Sequence, residues 1–338
     1  MEIKGEQPAL SDALLFLREW EDSRDYIEAH TSGSTGTPKK IRLLKSDMIL
    51  SAMTTCSFFK IDGNSLLFLP LSPGYIAGKM MIVRAAFSGA SLLVENPSNN
   101  PLKSDPGRDI SLCAVVPSQL PSLLKSPYVG RIRNLIIGGA PLSPEYESVL
   151  AEHDFNAYVT YGMTETCSHV ALRKTGEEYY HALSDISFST DERDCLTINS
   201  AERSFKKLVT NDIVELMDSR TFKWKGRYDN VINTGGIKVF PEEIERKIAS
   251  AVKERAFFIT SRESRKWGRE VVLVIEGKEV DADLAGKLEA LLEKPERPKE
   301  IIYVSAIPRT LSGKIKRNFY PSCLLYTSDA ADDSLRVD

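Results

Sequence analysis

The sequence is poor in the residues that build covalent or metal frameworks. Its five cysteines (Cys56, Cys113, Cys167, Cys195 and Cys323) are scattered, odd in number and never spaced C-x-x-C. That excludes a disulfide scaffold and a thiolate zinc site and leaves free thiols. Four histidines (His30, His153, His169 and His181) are equally dispersed, with no pair spaced to put two ligands on one helical turn. Apolar runs such as Leu66–Leu71 are short, far below the roughly 20 residues of a membrane span. A net charge of -3 lacks the basic excess of a general nucleic-acid binder. The opening segment is rich in Glu and Asp and holds no apolar signal core, so a cytoplasmic protein is expected. No internal repeat or low-complexity block is present.

What is there alternates. Strand-like runs at Ser65–Leu71, Ala90–Val94, Leu112–Val116, Asn134–Ile137 and Ala157–Thr160 are separated by helical stretches at Lys45–Phe59, Lys79–Phe87 and Pro144–His153. This pattern predicts an α/β fold: a large N-terminal domain of mixed and parallel sheets with flanking helices. Beyond Gly226 the character changes. Pro241 and the acidic pair Glu242 and Glu243 open a helix over Glu242–Val252. Strands at Arg255–Thr260 and Glu270–Glu276, a helix near Asp281–Glu293 and a strand at Glu300–Val304 complete a small α+β domain. The expected organisation is a core at 1–225, a hinge at 226–230, a mobile C-terminal lid at 231–322 and a tail at 323–338. The tail, from Cys323 through Asp333, reads like translated adapter DNA and is left out of the fold.

The sharpest segment is Thr31-Ser32-Gly33-Ser34-Thr35-Gly36-Thr37-Pro38-Lys39. Its glycines let backbone approach an anion, and its hydroxyls, N–H groups and ammonium can surround phosphate oxygens. Composition alone leaves a flexible surface loop equally open, and the spacing is not that of a Walker A loop. Further segments follow: Gly138-Gly139-Ala140-Pro141-Leu142, Tyr161-Gly162-Met163-Thr164-Glu165, Thr210-Asn211-Asp212, Gly226-Arg227-Tyr228-Asp229 through Glu245, and Pro308 to Lys314. In this order they resemble the signatures of the AMP-forming acyl-CoA synthetase, luciferase and adenylation-domain superfamily, across residues 31–314.

That resemblance implies ATP, Mg²⁺ and coenzyme A as partners of a small carboxylic acid, in two half-reactions through an acyl-adenylate. Thr31, Ser32, Gly33, Ser34, Thr35, Gly36 and Lys39 are expected at the β- and γ-phosphates. Gly138, Gly139, Ala140, Pro141, Tyr161, Gly162 and Met163 are expected around the nucleotide. Thr164 is assigned to the α-phosphate and Glu165 to the metal, which needs only one or two carboxylates beside phosphate oxygens. Asp212 is expected to accept the ribose hydroxyls, with Arg227 in support. Lys314 is the expected catalytic cation between the carboxylate and the α-phosphate. Asp229 matches the hinge, and Gly235, Gly236 and Lys238 the coenzyme A path.

The phosphate loop begins only 30 residues into the chain, which points to a missing N-terminal subdomain or a compact branch. The compact branch it resembles is that of bacterial o-succinylbenzoate–CoA ligases of menaquinone biosynthesis. There Tyr75, Lys79 and Arg84 fall in the acyl-pocket region. Arg84 matches an arginine that pairs the remote carboxylate of the substrate, and Tyr75 stands where a histidine is usual. Other readings stand beside it: a ligase joining a different carboxylate to coenzyme A, a free-standing adenylation enzyme loading a carrier protein, and a nucleotide-binding pseudoenzyme. Read without the resemblance, Lys79 and Arg84 are exposed positions on an amphipathic helix.

Overall fold

A computed structural model describes residues 1–30, 39–252, 255–278, 283–309 and 315–317. Thr31–Pro38, Lys314 and the 323–338 tail lie outside the described residues. The chain divides into two compact units, Met1–Thr210 with Val214–Trp224, and Asn211–Ile213 with the chain from Lys225 onward.

The first unit carries most of a twelve-stranded sheet. One half is parallel, in the spatial order Ile3–Gly5, Ser91–Val94, Leu66–Leu69, Leu112–Val115, Asn134–Ile137 and Asn156–Met163. Every residue of Leu66–Leu69 is buried, because both faces of the sheet are covered. Leu67 and Leu69 point into a core shared with the helices Ala9–Glu21, Lys45–Phe59 and Ile76–Ser88. Leu66 and Phe68 point the other way, toward Leu120, Leu123 and Leu150. Ser168–Lys174 pairs antiparallel with Asn156–Met163 and with Tyr180–Ala182, which pairs antiparallel with Thr221–Arg227, and the core of this half gathers Phe188, Ile198, Val214 and Phe222.

Helix Ile76–Ser88 starts three residues before the position expected from sequence. Gly78, in its first turn, is required by close contact: a Cβ would come within 2.2 Å of the Ser72 carbonyl oxygen. Strands Tyr26–His30 and Lys40–Leu44 form an antiparallel ladder that ends at His30 opposite Lys40, the two residues flanking the Thr31–Lys39 motif.

In the second unit, Gly268–Glu276 sits centrally in a five-stranded sheet. Its Val271, Leu273 and Ile275 face Ile244, Ile248 and Val252 of helix Pro241–Val252 and Leu284 and Leu288 of helix Leu284–Leu291. Val272 and Val274 pack on the opposite side with Phe258 and Ile307. The alternation is the period of two that a strand covered on both faces requires.

Candidate active site

In the parallel half, Leu66–Leu69 has Ser91–Val94 on one side and Leu112–Val115 on the other, so the strand order reverses there. Open α/β sheets bind ligands beyond the carboxyl ends of the strands at such a reversal. The loops leaving these ends carry the motif residues: Tyr75 after Leu66–Leu69, Gly138–Pro141 after Asn134–Ile137, and Thr164 and Glu165 after Asn156–Met163. Gln119, which no sequence pattern marked, ties this rim together. Its amide donates to the carbonyls of Pro70 (3.0 Å) and Ser98 (2.8 Å), and its oxygen accepts from the Val116 N–H (3.1 Å).

Two glycines of the motifs are explained by close approach. A Cβ on Gly138 would meet the Thr160 hydroxyl at 2.4 Å, and one on Gly162 would meet the Ser168 carbonyl oxygen at 2.2 Å. Gly139, Ala140 and Pro141 are exposed on the rim. The Tyr161 ring joins an aromatic group with Tyr180 and Phe222. Lys39 is exposed at the end of the loop motif.

After a bulge at Tyr161 and Gly162, the chain makes a tight turn over Thr164–Thr166. Thr164 is buried and Glu165 projects from the turn, exposed. No group of three or more His, Cys, Asp or Glu side chains converges among the described residues. A single exposed carboxylate beside a hydroxyl suits magnesium, which keeps waters and phosphate oxygens as its other ligands.

Lys79 and Arg84 lie five residues apart on one helix, which separates their directions by roughly 140°. Both are buried, contrary to the amphipathic reading. The Lys79 ammonium pairs with Glu19 (3.7 Å) and lies 4.1 Å from the Phe16 ring centre, so helix Ala9–Glu21 already engages it. Arg84 is only 1% exposed. Its Nη2 donates to the Ser168 hydroxyl (3.3 Å), its Nη1 lies 3.6 Å from the Met81 sulfur, and its Nε has no partner. Burial pushes this guanidinium down to about 10. Beside it, His169 bonds to the Thr55 hydroxyl (3.1 Å). Burial, then the charges of Arg84 and Arg203, hold that imidazole well below its usual range. Tyr75 is exposed just before the helix.

In the second unit, Asp212 is buried within strand Lys207–Asp218. Arg227 reaches between two carboxylates, 3.7 Å from Asp212 and 3.2 Å from Asp229, and the Asn211 amide donates to Asp229 (3.4 Å). Gly235 and Gly236 form a two-residue hairpin loop between Ile232–Thr234 and Ile237–Val239, both at positive φ, as a tight hairpin demands. A Cβ on Gly235 would strike the Trp267 ring at 2.8 Å, whereas one on Gly236 would meet nothing within 4 Å. Lys238 is exposed on the second of these strands.

The profile of the AMP-binding enzyme family matches residues 20–191. A 2-succinylbenzoate–CoA ligase from Listeria monocytogenes is 25% identical over 89% of this chain and 71% of its own length. A solved acyl-CoA synthetase (AMP-forming)/AMP-acid ligase II-like protein from Dyadobacter fermentans is 34% identical, with a TM-score of 0.62 over 92% of this chain and 93% of that one. The o-succinylbenzoate CoA synthetase of Bacillus subtilis, solved with its acyl-adenylate intermediate, shares the fold. Its TM-score is 0.76 at 22% identity, over 86% of this chain and 68% of that one. The chain therefore belongs to the AMP-binding enzyme family, and its class is that of the AMP-forming acid–CoA ligases.

Proposed function

We propose that the acid is o-succinylbenzoate, activated as its adenylate and passed to coenzyme A. One observation carries the choice. Arg84 is buried beside the turn that bears Thr164 and Glu165, and no carboxylate pairs with it among the described residues. A desolvated guanidinium is costly without an anion. A substrate with two carboxylates supplies one, leaving the other to react, and a planar guanidinium can hold a carboxylate by two parallel bonds. The names of the Listeria and Bacillus relatives point to the same acid.

The remaining roles follow from charge. Both substrates are anionic, so positioning and neutralisation supply much of the rate. The Thr31–Lys39 loop receives the outer phosphates, and Thr164 hydrogen-bonds the α-phosphate. Glu165 holds Mg²⁺, which when bound neutralises phosphate charge. Asp212 accepts the ribose hydroxyls while Arg227, shared with Asp229, keeps its carboxylate oriented. Lys314 bridges the attacking carboxylate and the α-phosphate. In the second half-reaction the chain turns about Asp229, and the thiol enters past Gly235, Gly236 and Lys238.

The test is a panel of acids assayed for coenzyme A-dependent AMP formation, including o-succinylbenzoate, benzoate and succinate. Preferred use of o-succinylbenzoate is expected. Preference for a monocarboxylate overturns the substrate, and AMP release without acyl-CoA overturns the acceptor.

A further inference from the structure

The turn that presents Thr164 and Glu165 is followed by two successive non-glycine residues in left-handed backbone, Cys167 (φ 54°) and Ser168 (φ 90°). Such backbone is unfavourable for L-residues and persists only where surroundings impose it. Here the carbonyls of Thr166, Cys167 and Ser168 are each held. The Thr166 hydroxyl accepts from the Met163 N–H (3.0 Å) and donates to the Ser168 carbonyl (2.6 Å). Ser51, on helix Lys45–Phe59, donates to the Cys167 carbonyl (2.9 Å). The Thr166 carbonyl receives Nη1 of Arg203 at 3.0 Å.

Arg203 is an unexpected side chain for that task. It is 1% exposed, as deeply buried as Arg84, and its Nε has no partner. Its loop is fixed from two sides. The Arg203 N–H donates to the Ser200 hydroxyl (3.0 Å), which bonds to Asp185. Ser204 bonds to Asp47 of helix Lys45–Phe59 through its N–H (2.9 Å) and its hydroxyl. A charged group this deep is expensive, and a backbone carbonyl could be satisfied by a smaller neutral donor. What the guanidinium adds is a rigid, charge-assisted hold on the carbonyl that follows Glu165.

We infer that Arg203 is a positioning residue for adenylation, fixing the left-handed turn that aims Thr164 and Glu165 at the nucleotide. This rests on the roles proposed for Thr164 and Glu165, but not on the identity of the acid.

The experiment uses the full chain and whichever panel acid the wild type uses best, so a wrong substrate leaves it intact. ATP–pyrophosphate exchange is measured across Mg²⁺ concentrations for Arg203→Met, Arg203→Gln, Arg203→Lys and Ser200→Ala. Ser200→Ala loosens the same loop without touching Thr166. We expect Arg203→Met and Arg203→Gln to lower kcat about 10- to 100-fold and raise the Mg²⁺ concentration for half-activation several-fold, with the KM for the acid little changed. Arg203→Lys, which keeps a cationic donor, should recover much of both, and Ser200→Ala should shift melting temperature without shifting the Mg²⁺ requirement. Three results overturn the inference: a folded Arg203→Met or Arg203→Gln enzyme within twofold of wild type, a Ser200→Ala enzyme with the same Mg²⁺ shift, or failure of both neutral variants to fold, which would make Arg203 a folding residue only.

Discussion

Arg84 in the first unit and Arg317 in the second are both withdrawn from water, but they meet different surroundings. Arg317 closes a two-pronged pair on Glu245 at 2.5 and 2.6 Å, with Glu242 a further 3.9 Å away. Glu245 also accepts the Ile259 N–H at 2.7 Å, so the carboxylate is used on both sides. Burial alone would lower the basicity of Arg317, yet the bonds and charge of Glu245 raise it. Around Arg84 there is a hydroxyl, a thioether and a neutral imidazole, and burial lowers it unopposed by any carboxylate. One arginine has its counterion built into the protein. The other has no carboxylate among the described residues, as the role proposed for it in holding the acid requires.

The sharpest break of the comparison is to remove each guanidinium and follow denaturant unfolding. Arg317→Met leaves the largely desolvated Glu245 carboxyl without its partner, and should destabilise the second unit by about 3 kcal/mol, the low end for a buried pair because both side chains keep some exposure. Arg84→Met removes a buried charge that had no anion, so the first unit should hold or gain stability. Equal losses in both variants would mean that Arg84 is as structural as Arg317.

The second effect falls on activity. Arg84→Met should lower kcat/KM for o-succinylbenzoate by about 10- to 150-fold, the worth of roughly 1.5–3 kcal/mol for a charge-assisted contact. The KM for ATP should barely move. Discrimination against benzoate should shrink in parallel, since benzoate has no second carboxylate to lose. An unchanged preference for the dicarboxylate would remove Arg84 from the acid.

This contrast was only half legible in the sequence. The parallel strands announced themselves because Leu66–Leu69 and the Leu135, Ile136 and Ile137 run are apolar on both faces. Helix Lys45–Phe59 was bounded correctly by its apolar spacing. Helix Ala9–Glu21 was not assigned, because its acidic and basic residues mask the buried Ala9, Ala13 and Phe16. The hairpin flanking the phosphate loop was missed as well, since the ladder closes across a long segment with no two-residue turn signal. Motif residues such as Gly138 and Glu165 were recognisable as letters in a series. Gln119, Ser51, Thr166, Ser168, His169 and Arg203 were not. Each is a single polar residue whose meaning lies in a partner distant in sequence: Ser51 to Cys167 spans 116 residues and Thr166 to Arg203 spans 37. Local pattern carries no trace of such contacts, and patterning turns charged residues outward by default.

The smallest expected effect reads the absent counterion through a neighbour. His169 is buried, held neutral first by burial and then by the positive charges of Arg84 and Arg203, and among the described residues its nitrogens meet the hydroxyls of Thr55 and Ser168. Its folded pKa therefore lies below the ordinary value of 6.5 that the unfolded chain keeps. The unfolded state then binds more protons as pH falls, so this residue's contribution to stability is complete above that value and is lost as pH drops below it. The slope cannot exceed about 1.4 kcal/mol per pH unit. It begins above the carboxylate range, where lowered groups such as Glu28 and Asp109 respond later. His169→Gln, which can keep the bond to Thr55, should flatten unfolding free energy between about pH 6.5 and 5. Saturating o-succinylbenzoate should flatten it in the wild type too, because a carboxylate arriving at Arg84 offsets one of the charges that keep the imidazole neutral. A slope untouched by the acid but erased in His169→Gln would place the anion elsewhere and leave Arg84 a buried cation without a ligand.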